Sequence, residues 1–393
     1  MRRITPLALF ALLLSLPAWS GSPVEIDRAG MKMMIEEKVA HATGAVARHG
    51  AVTEGAFVAA PGITEIFVDC DAGRSVSQVL RTNPRRYLTI HLAGTCQESI
   101  DVERPGVTIS GTLAGGAIID PPDGYAIRAL GAHELKLVDL TLTGATDGLV
   151  AVASREMTLE RVRAVDNLDY GILLEASTAV IGEAELSRNQ TPILVANHST
   201  ATIQDSLMED NPYDGPFALA NSKMLILNST MLRNGYGPNG WDSVVIRVVG
   251  STVEYPGSGA RPMGVSGASR LDIRGSDVHT RVLVWGHSML EVWQGATIGS
   301  DTVKSRITLA GNSYLEVADF GATPTIINAD VVLYSSATAD VYPEEPIRDD
   351  AYIGWFSEAG FYNAAPMQGS VYCWNRGRAQ CDLDPIGGVH DCE

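Results

Sequence analysis

A right-handed parallel β-helix, a solenoid of short strands, is the fold this 393-residue sequence predicts, and three observations predict it. First, small-residue turns closing on serine recur at Ser154, Ser177, Ser199, Ser222, Ser251, Ser269, Ser288 and Ser313, with gaps of 23, 22, 23, 29, 18, 19 and 25. Irregular self-similarity near this period marks a solenoid. Second, apolar pairs spaced by two flank each serine. Two and four residues after it come Ala179/Ile181, Ala201/Ile203, Met224/Ile226, Leu271/Ile273, Leu290/Val292 and Leu315/Val317. Five and three residues before it come Leu149/Ala151, Ile172/Leu174, Leu194/Ala196, Phe217/Leu219 and Ile246/Val248. A spacing of two puts both members on one face of a strand. Third, Asn167, Asn189, Asn211 and Asn234 are spaced 22, 22 and 23.

Those asparagines are expected to stand above one another at the same bend of successive coils. Asn tolerates a left-handed backbone, and its amide can bond both backbone and the next amide. The row thus reads as a turn device, and the serine column likewise, rather than as a set of nucleophiles. A leucine-rich repeat would need a fixed Leu/Asn consensus, and helical repeats a 3.6 period. A left-handed hexapeptide helix would show a strict period of six. None is present, and coil lengths of 18 to 29 favour the right-handed kind.

Composition agrees with many short strands. Charged residues are 19%, aromatics 6%, and there are 39 glycines among frequent Val, Ile, Leu and Thr. The formal net charge of −17 argues against nucleic acid or an anionic membrane as partner, because both need clustered Lys and Arg.

The chain divides into four parts in order. Residues 1–20 read as a signal peptide: Arg2 and Arg3 precede an apolar run from Leu7 to Leu16, and Ala18-Trp19-Ser20 offers small residues for cleavage. Losing both arginines takes the charge from −17 to −19. No later segment approaches the ~20 apolar residues of a membrane span. The protein is therefore expected to be secreted or periplasmic. Residues 21–60 hold a helical segment, in which Met31, Met34, Ile35, Val39 and Ala42 form one apolar stripe, suited to cover an open solenoid end or to meet a partner helix. Residues 61–342 are the β-helix. Residues 343–393, with Trp355, Phe356, Phe361 and Trp374, show no coil register and are expected to form an irregular cap held by a disulfide.

Export places the five cysteines where disulfides persist. A Cys70–Cys96 bridge is expected, with one more among Cys373, Cys381 and Cys392, whose pairing the sequence leaves open. Zinc is disfavoured because no His is suitably spaced beside them.

The stretches "VDCDAGRSVSQVL" and "YLTIHLAGTCQESIDVERPGVTISG", followed by coils of Asn-x-x-x-Gly-Ile type, resemble bacterial secreted right-handed β-helix repeat proteins of the pectin-lyase-like superfamily. The resemblance covers about Ile66 to Val341. It implies a capped solenoid, with Gly73 to Leu80 as the short helix on the first coil, and long loops on one side. The superfamily holds polysaccharide lyases, glycoside hydrolases and epimerases, but their signatures are missing. "ATDGL" at Ala145 to Leu149 is similar to only one of four polygalacturonase motifs, Asp349-Asp350 lies outside the coils, and "GARPMG" around Arg261 lacks the second arginine of pectate lyases.

What remains is a row of acids before the Gly-Ile strand: Asp147, Asp169, Asp214 and Asp242. In resembling enzymes that loop-to-strand edge bears the catalytic carboxylates, which makes Asp147, Asp169 and Asp214 the catalytic candidates. Asp147 and Asp169 are expected one coil apart and Asp169 and Asp214 two coils apart, ~9.6 Å, near the upper limit for an acid and a base flanking a water. Stacked carboxylates should repel and raise one pKa. Asp in Asp-Gly also has a plain turn role. Trp241, Asp242 and Arg247 are the substrate-binding candidates, beside "GYGPNGWD" (Gly235 to Asp242), which reads as an insertion accounting for the 29-residue gap. An acidic groove suits a neutral or cationic glycan, or calcium bridging to an acidic one; no other cofactor is implied. Two readings follow: a β-helix that binds or processes a polysaccharide or cell-envelope glycan, and a non-catalytic structural or adhesive exported protein. The sequence does not reach the oligomeric state.

Overall fold

The computed structural model describes residues 64–341, apart from 85–86, 113–115, 255–260, 300–304, 319–324, 328 and 334–336, together with short strands at Ala351–Ile353, Gly360–Asn363, Val371–Cys373, Gln380–Leu383 and His390–Cys392. The signal peptide and the helical segment at 21–60 lie outside the described residues.

Three parallel sheets of 15, 14 and 11 strands run the length of the coils. The chain visits them in rotation, as a parallel β-helix must. In one middle coil, Asp147–Val152 belongs to the 14-stranded sheet, Met157–Glu160 to the 15-stranded sheet and Arg163–Val165 to the 11-stranded sheet. The next coil repeats the order with Tyr170–Glu175, Thr178–Gly182 and Glu185–Ser187. Below, these are the long sheet (15 strands), the second sheet (14) and the third sheet (11). The short strands after residue 341, where a cap without coil register was expected, extend the long and second sheets in parallel.

Alternation builds the core. Inward residues of the long sheet, Ala179/Ile181, Ala201/Ile203, Met224/Ile226, Ile246/Val248 and Leu271/Ile273, stack in register and are buried. Each such column is a continuous apolar stripe shared by neighbouring coils, so no coil can bury its face alone.

The corners are sealed by three side-chain ladders with one common rule: the side-chain oxygen accepts the backbone N–H of the residue one coil earlier. At the bend into the second sheet, Asn167 N–H donates to Asn189 Oδ1 (3.1 Å), Asn189 N–H to Asn211 Oδ1 (3.0 Å) and Asn211 N–H to Asn234 Oδ1 (3.1 Å). The side-chain amide groups continue the row, Asn167 Nδ2 donating to Asn189 Oδ1 at 3.0 Å. The left-handed residue at this bend is the one before each asparagine: Asp166, Arg188, Asp210 and Arg233 have φ of 59°, 55°, 55° and 50°. Their alternating charges pair across coils, Arg188 with Asp166 (2.7 Å) and Arg233 with Asp210 (2.7 Å).

The serines form two ladders, not one. Ser154, Ser177, Ser199 and Ser222 connect in series between the second and long sheets, and there the next rung is Val244, followed by Ser269 and Ser288. Ser251 belongs to a separate column between the long and third sheets, Ser206–Ser229–Ser251–Ser276. The step from Ser222 to Val244 is 22 residues, so the apparent 29-residue gap disappears. Gly235 to Asp242 is therefore no insertion: Asn239–Trp241 is the second-sheet strand of an ordinary coil.

A second correction concerns phase. Ile193 and Val195, not Leu194 and Ala196, continue the inward column of Ile172 and Leu174, and Ala218, not Phe217 and Leu219, follows Val195. The turns explain it. Ala153 and Ala176 are single left-handed residues, whereas Asn197-His198 and Ala220-Asn221 supply two. One added residue between strand and serine shifts the count by one and exchanges the faces. Val150, Leu173, Leu194 and Phe217 consequently stack in register on the outer face of the second sheet, and all four are buried.

The first coil carries the short helix, Val76–Thr82, which overlaps the expected Gly73 to Leu80 and runs two residues past it. Ser75 caps it by accepting from Gln78 N–H (3.1 Å), and the Glu98 carboxylate takes Val76 N–H (2.6 Å) and Ser75 Oγ (2.8 Å). The Cys70–Cys96 disulfide ties this region across the first coil, with Cα atoms 4.9 Å apart.

Candidate functional site

The chain enters the second sheet immediately after each asparagine bend, and the first residues of those strands stack along the solenoid. The register pairs Tyr125 with Asp147 and Tyr170 with Thr191, and Leu149 with Ile172, which places Asp147 opposite Tyr170. Counting back three residues from the pairs Leu194–Phe217, Phe217–Asn239 and Asn239–Gly264 carries the same column through Thr191, Asp214, Tyr236 and Arg261. One line of chain positions, seven coils long, thus reads Tyr125, Asp147, Tyr170, Thr191, Asp214, Tyr236, Arg261. Apolar positions dominate the inward columns, so this polar column is a distinct feature of the strand entrances.

Contacts knit it together. Tyr170 N–H donates to Asp147 Oδ1 at 3.2 Å. Tyr125 Oη donates to Asp101 Oδ1 at 2.8 Å, and the Arg128 guanidinium lies over the Tyr125 ring at 4.6 Å. At the other end the Arg261 guanidinium lies over the Tyr236 ring, 4.9 Å from its centroid, and Arg261 Nη1 is buried with no hydrogen-bond partner. Tyr213 precedes Asp214 and is held with it, both backbone N–H groups donating to Gln190 O at 3.1 Å.

Asp214 carries a strongly perturbed carboxyl. It is buried, and desolvation pushes its pKa up to about 7 against the opposing pull of the Arg261 charge and a hydrogen bond from Asn239. Repulsion by a stacked carboxylate, the cause expected from sequence, is not what raises it. Burial raises the Tyr170 phenol, helped by the charges of Asp147 and Asp214. Burial also raises Tyr236, which Arg261 pulls back down through its charge and a hydrogen bond. A carboxyl that titrates near pH 7 is present in both forms under neutral conditions and can give or take a proton.

The residues singled out from sequence are only partly brought together. Asp147 and Asp214 share the column, three coils apart, ~14 Å. That is beyond the about 6.5–9.5 Å that separates an acid and a base in inverting hydrolysis, so these two do not form such a pair. Asp169 stands two coils before Asp214 as expected, but it precedes Tyr170 in the chain and falls one position outside the column. Trp241 ends its strand on the outer face and meets Phe217 edge-on, with ring centroids 5.2 Å apart at 79°. Asp242 is an exposed left-handed turn residue (φ 62°) between the second and long sheets. Arg247 lies on the long sheet, where it bonds Asp272 at 2.7 Å, and Asp272 is bonded by Arg274 as well. Arg247 is thus a surface ion-pair residue on a different sheet from the acids. Sequence reading missed Tyr170, Tyr213, Tyr236 and Arg261. Counting from the asparagines would have found Tyr170, three residues after Asn167, and Tyr236, two after Asn234.

No three His, Cys, Asp or Glu side chains among the described residues are placed to hold a metal.

Residues 107–270 match the model of a family described as periplasmic copper-binding protein (NosD). No curated protein sequence matches the chain. Among solved structures, the chain is similar to an alginate lyase from Paenibacillus sp. str. FPU-7, with 10% identity over 68% of this chain and 99% of that one and a TM-score of 0.40. It is similar to the A-module of the Azotobacter vinelandii mannuronan C-5 epimerase AlgE6, with 13% identity over 74% of this chain and 93% of that one and a TM-score of 0.46. It is also similar to the Streptococcus pneumoniae surface protein and adhesin PfbA, with 10% identity over 73% and 89% and a TM-score of 0.37.

Proposed function

We propose that this exported β-helix protein binds and processes a polysaccharide or cell-envelope glycan at the second-sheet column, with Asp214 as its proton-transfer group. The observation that carries the reading is the burial of Asp214 between Tyr213, Tyr236 and Arg261 in a polar row crossing seven coils. A row of hydroxyl and carboxyl groups at coil spacing, ~4.8 Å, offers a polymeric ligand repeated hydrogen-bond partners. The poised carboxyl supplies the acid or base that glycosidic chemistry requires. Asp147 stands second in the row, next to Tyr125, and Asp169 borders it. Trp241 contributes a partly exposed aromatic edge nearby. Export is supported by the signal-like N-terminus and by the periplasmic description of the family matching residues 107–270.

Copper is the ligand named in that family description. The described residues hold no donor set for it, and the side chains of Cys373, Cys381 and Cys392 lie outside them.

The test is a glycan array on the mature protein, followed by reducing-end and unsaturated-product assays on whichever glycan binds. Asp214→Asn should lose turnover, while Asp277→Asn, an exposed third-sheet residue in a later coil, should keep it. Wild-type turnover in Asp214→Asn would move the chemistry elsewhere. Binding to intact surfaces with no glycan turnover by the wild-type protein would instead favour the structural or adhesive reading.

A further inference from the structure

The end of the solenoid carries Cys373, Cys381 and Cys392, and the backbone brings two of them together. Val371–Cys373 and His390–Cys392 are neighbouring parallel strands that finish the second sheet, and their register sets Cys373 opposite Cys392. Register partners on adjacent parallel strands share a face of the sheet and stand ~4.8 Å apart. That separation falls within the roughly 4.4–6.8 Å between Cα atoms that a disulfide spans. Cys381 has a different setting. It lies on Gln380–Leu383, the last strand of the long sheet, where its register partner is Phe361.

The first coil already uses this geometry. Cys70 and Cys96 are 26 residues apart, and their bridge joins Cα atoms at 4.9 Å, the spacing of one coil. Cys373 and Cys392 are 19 residues apart, and Cys373 and its previous partner, Ile353, are 20 apart, so one coil separates the two cysteines as well. A cross-link has most to hold at this place. Each coil of a solenoid is stabilised by its neighbours, and a terminal coil has one neighbour instead of two. The third sheet ends among the described residues at Ile326–Ile327, so the coils of Cys373 and Cys392 are paired there on two sheets rather than three. His390–Cys392 is the last strand in the order of its sheet, and an edge left unheld invites pairing with other chains.

We infer that Cys373 and Cys392 form a second disulfide, which clamps the last coil to the one before it, and that Cys381 is left as the thiol. The solenoid is then cross-linked at both ends, one coil to the next, while hydrogen-bonded ladders alone hold the coils between. The bond forms by thiol–disulfide exchange with a protein or small-molecule disulfide of the exporting compartment. One cysteine thiolate attacks that disulfide and forms a mixed disulfide with it. The second thiolate attacks the cysteine sulfur of the mixed bond, and the oxidant leaves as a dithiol. The two cysteines lose two electrons and two protons, and the oxidant gains them.

The experiment is peptide mapping of the full chain after export. Free thiols are alkylated with iodoacetamide in denaturant without reductant, and the chain is cut with trypsin and endoproteinase Asp-N. Cleavage after Arg376 and Arg378 and before Asp382 and Asp391 puts the three cysteines on separate peptides. The Cys373 peptide should be found joined to the Cys392 peptide, and Cys381 should carry the alkyl group. A cross-link that includes Cys381, or alkylation of Cys373 or Cys392, would overturn the pairing. The clamp itself is read by limited proteolysis. Cleavage between residues 360 and 393 should be at least about ten-fold faster in Cys392→Ser than in wild type, because cutting follows the population of the opened end and a lost disulfide raises it. Cys381→Ser should be cut at the wild-type rate and keep the cross-link. Equal cutting rates in Cys392→Ser and wild type would overturn the clamp. Should Cys392→Ser export poorly, the mapping of Cys381→Ser decides the pairing: no Cys373–Cys392 link in that variant would refute it.

Discussion

Asn189 and Asn211 stand one coil apart and share a single oxygen: Asn211 Oδ1 accepts both the backbone N–H of Asn189, at 3.0 Å, and its side-chain Nδ2, at 3.4 Å. Asn189 repeats the arrangement toward Asn167, and its Nδ2 also donates to Ala164 O at 2.9 Å. Both asparagines are fully buried. Each rung therefore satisfies backbone groups that the bend would otherwise strand away from water.

Asn189→Ala should cost about 2 kcal/mol, more than one average hydrogen bond, because the Asn167 N–H and the Ala164 carbonyl are left buried without partners. The denaturant midpoint checks this. Glycan binding should survive, since Asn189 turns the chain but lies outside the ligand column. Loss of binding with an unchanged midpoint would show that the ladder is itself the binding surface.

Gly171 is required by space rather than by backbone angle. A Cβ there would sit 2.6 Å from Pro192 O and 2.9 Å from Asn189 Nδ2, and Gly148 faces the same obstruction from Gly171 O at 2.5 Å. The Gly in the recurring Asn-x-x-x-Gly-Ile stretch thus makes room for the amide ladder. Gly171→Ala should destabilise by about 2 kcal/mol through overpacking, while Gly182→Ala, whose nearest neighbour would be Gln204 Nε2 at 3.6 Å, should be tolerated. Equal midpoints for the two variants would contradict the packing account.

Ile226→Asp tests the core register. Ile226 is fully buried between Ile203 and Val248. A carboxyl in that column has no partner, and the cost, on the order of 5 kcal/mol, is comparable to the stability of many whole domains. Because each coil is stabilised by its neighbours, the expected outcome is a collapse of the central coils, seen as a lowered melting temperature and new protease cleavage near residue 226. An unchanged melting curve would refute the register.

Asp214 should leave a signature in the pH dependence of stability. Its folded pKa, about 7, lies above the ordinary 3.8. Between those values the folded chain holds a proton that the unfolded chain has released. The contribution of Asp214 is therefore fully present below pH 3.8, declines as pH rises, at most about 1.4 kcal/mol per unit, and is gone above pH 7. Asp214→Asn should flatten that decline, so the variant gains on wild type between pH 5 and pH 8 in denaturant titrations. Parallel wild-type and variant profiles would mean that Asp214 titrates normally.

The sequence by itself determined the solenoid, its inward long-sheet pairs and its asparagine row, because each rests on a local rule: alternation by two within a strand and a polar side chain able to close a bend. It also located Cys70 beside Cys96 and the short helix between them. Tertiary structure decided what depends on accumulated turn length. Ser251 is chemically like Ser222, yet it caps a different corner, and Val244 takes the place that a serine count would assign to it. One extra left-handed residue at His198 or Asn221 sends Leu194 and Phe217 to the outer face, a change invisible to a pattern that only counts apolar pairs. The same stacking chose the candidate site. Asp169 and Tyr170 are adjacent in the chain, but only Tyr170 enters the column with Asp147, Asp214, Tyr236 and Arg261, since a strand's side chains alternate and one position decides which neighbours each will meet. Burial, finally, is a property of the packed coils, and it is burial that gives Asp214 a pKa no sequence motif announces.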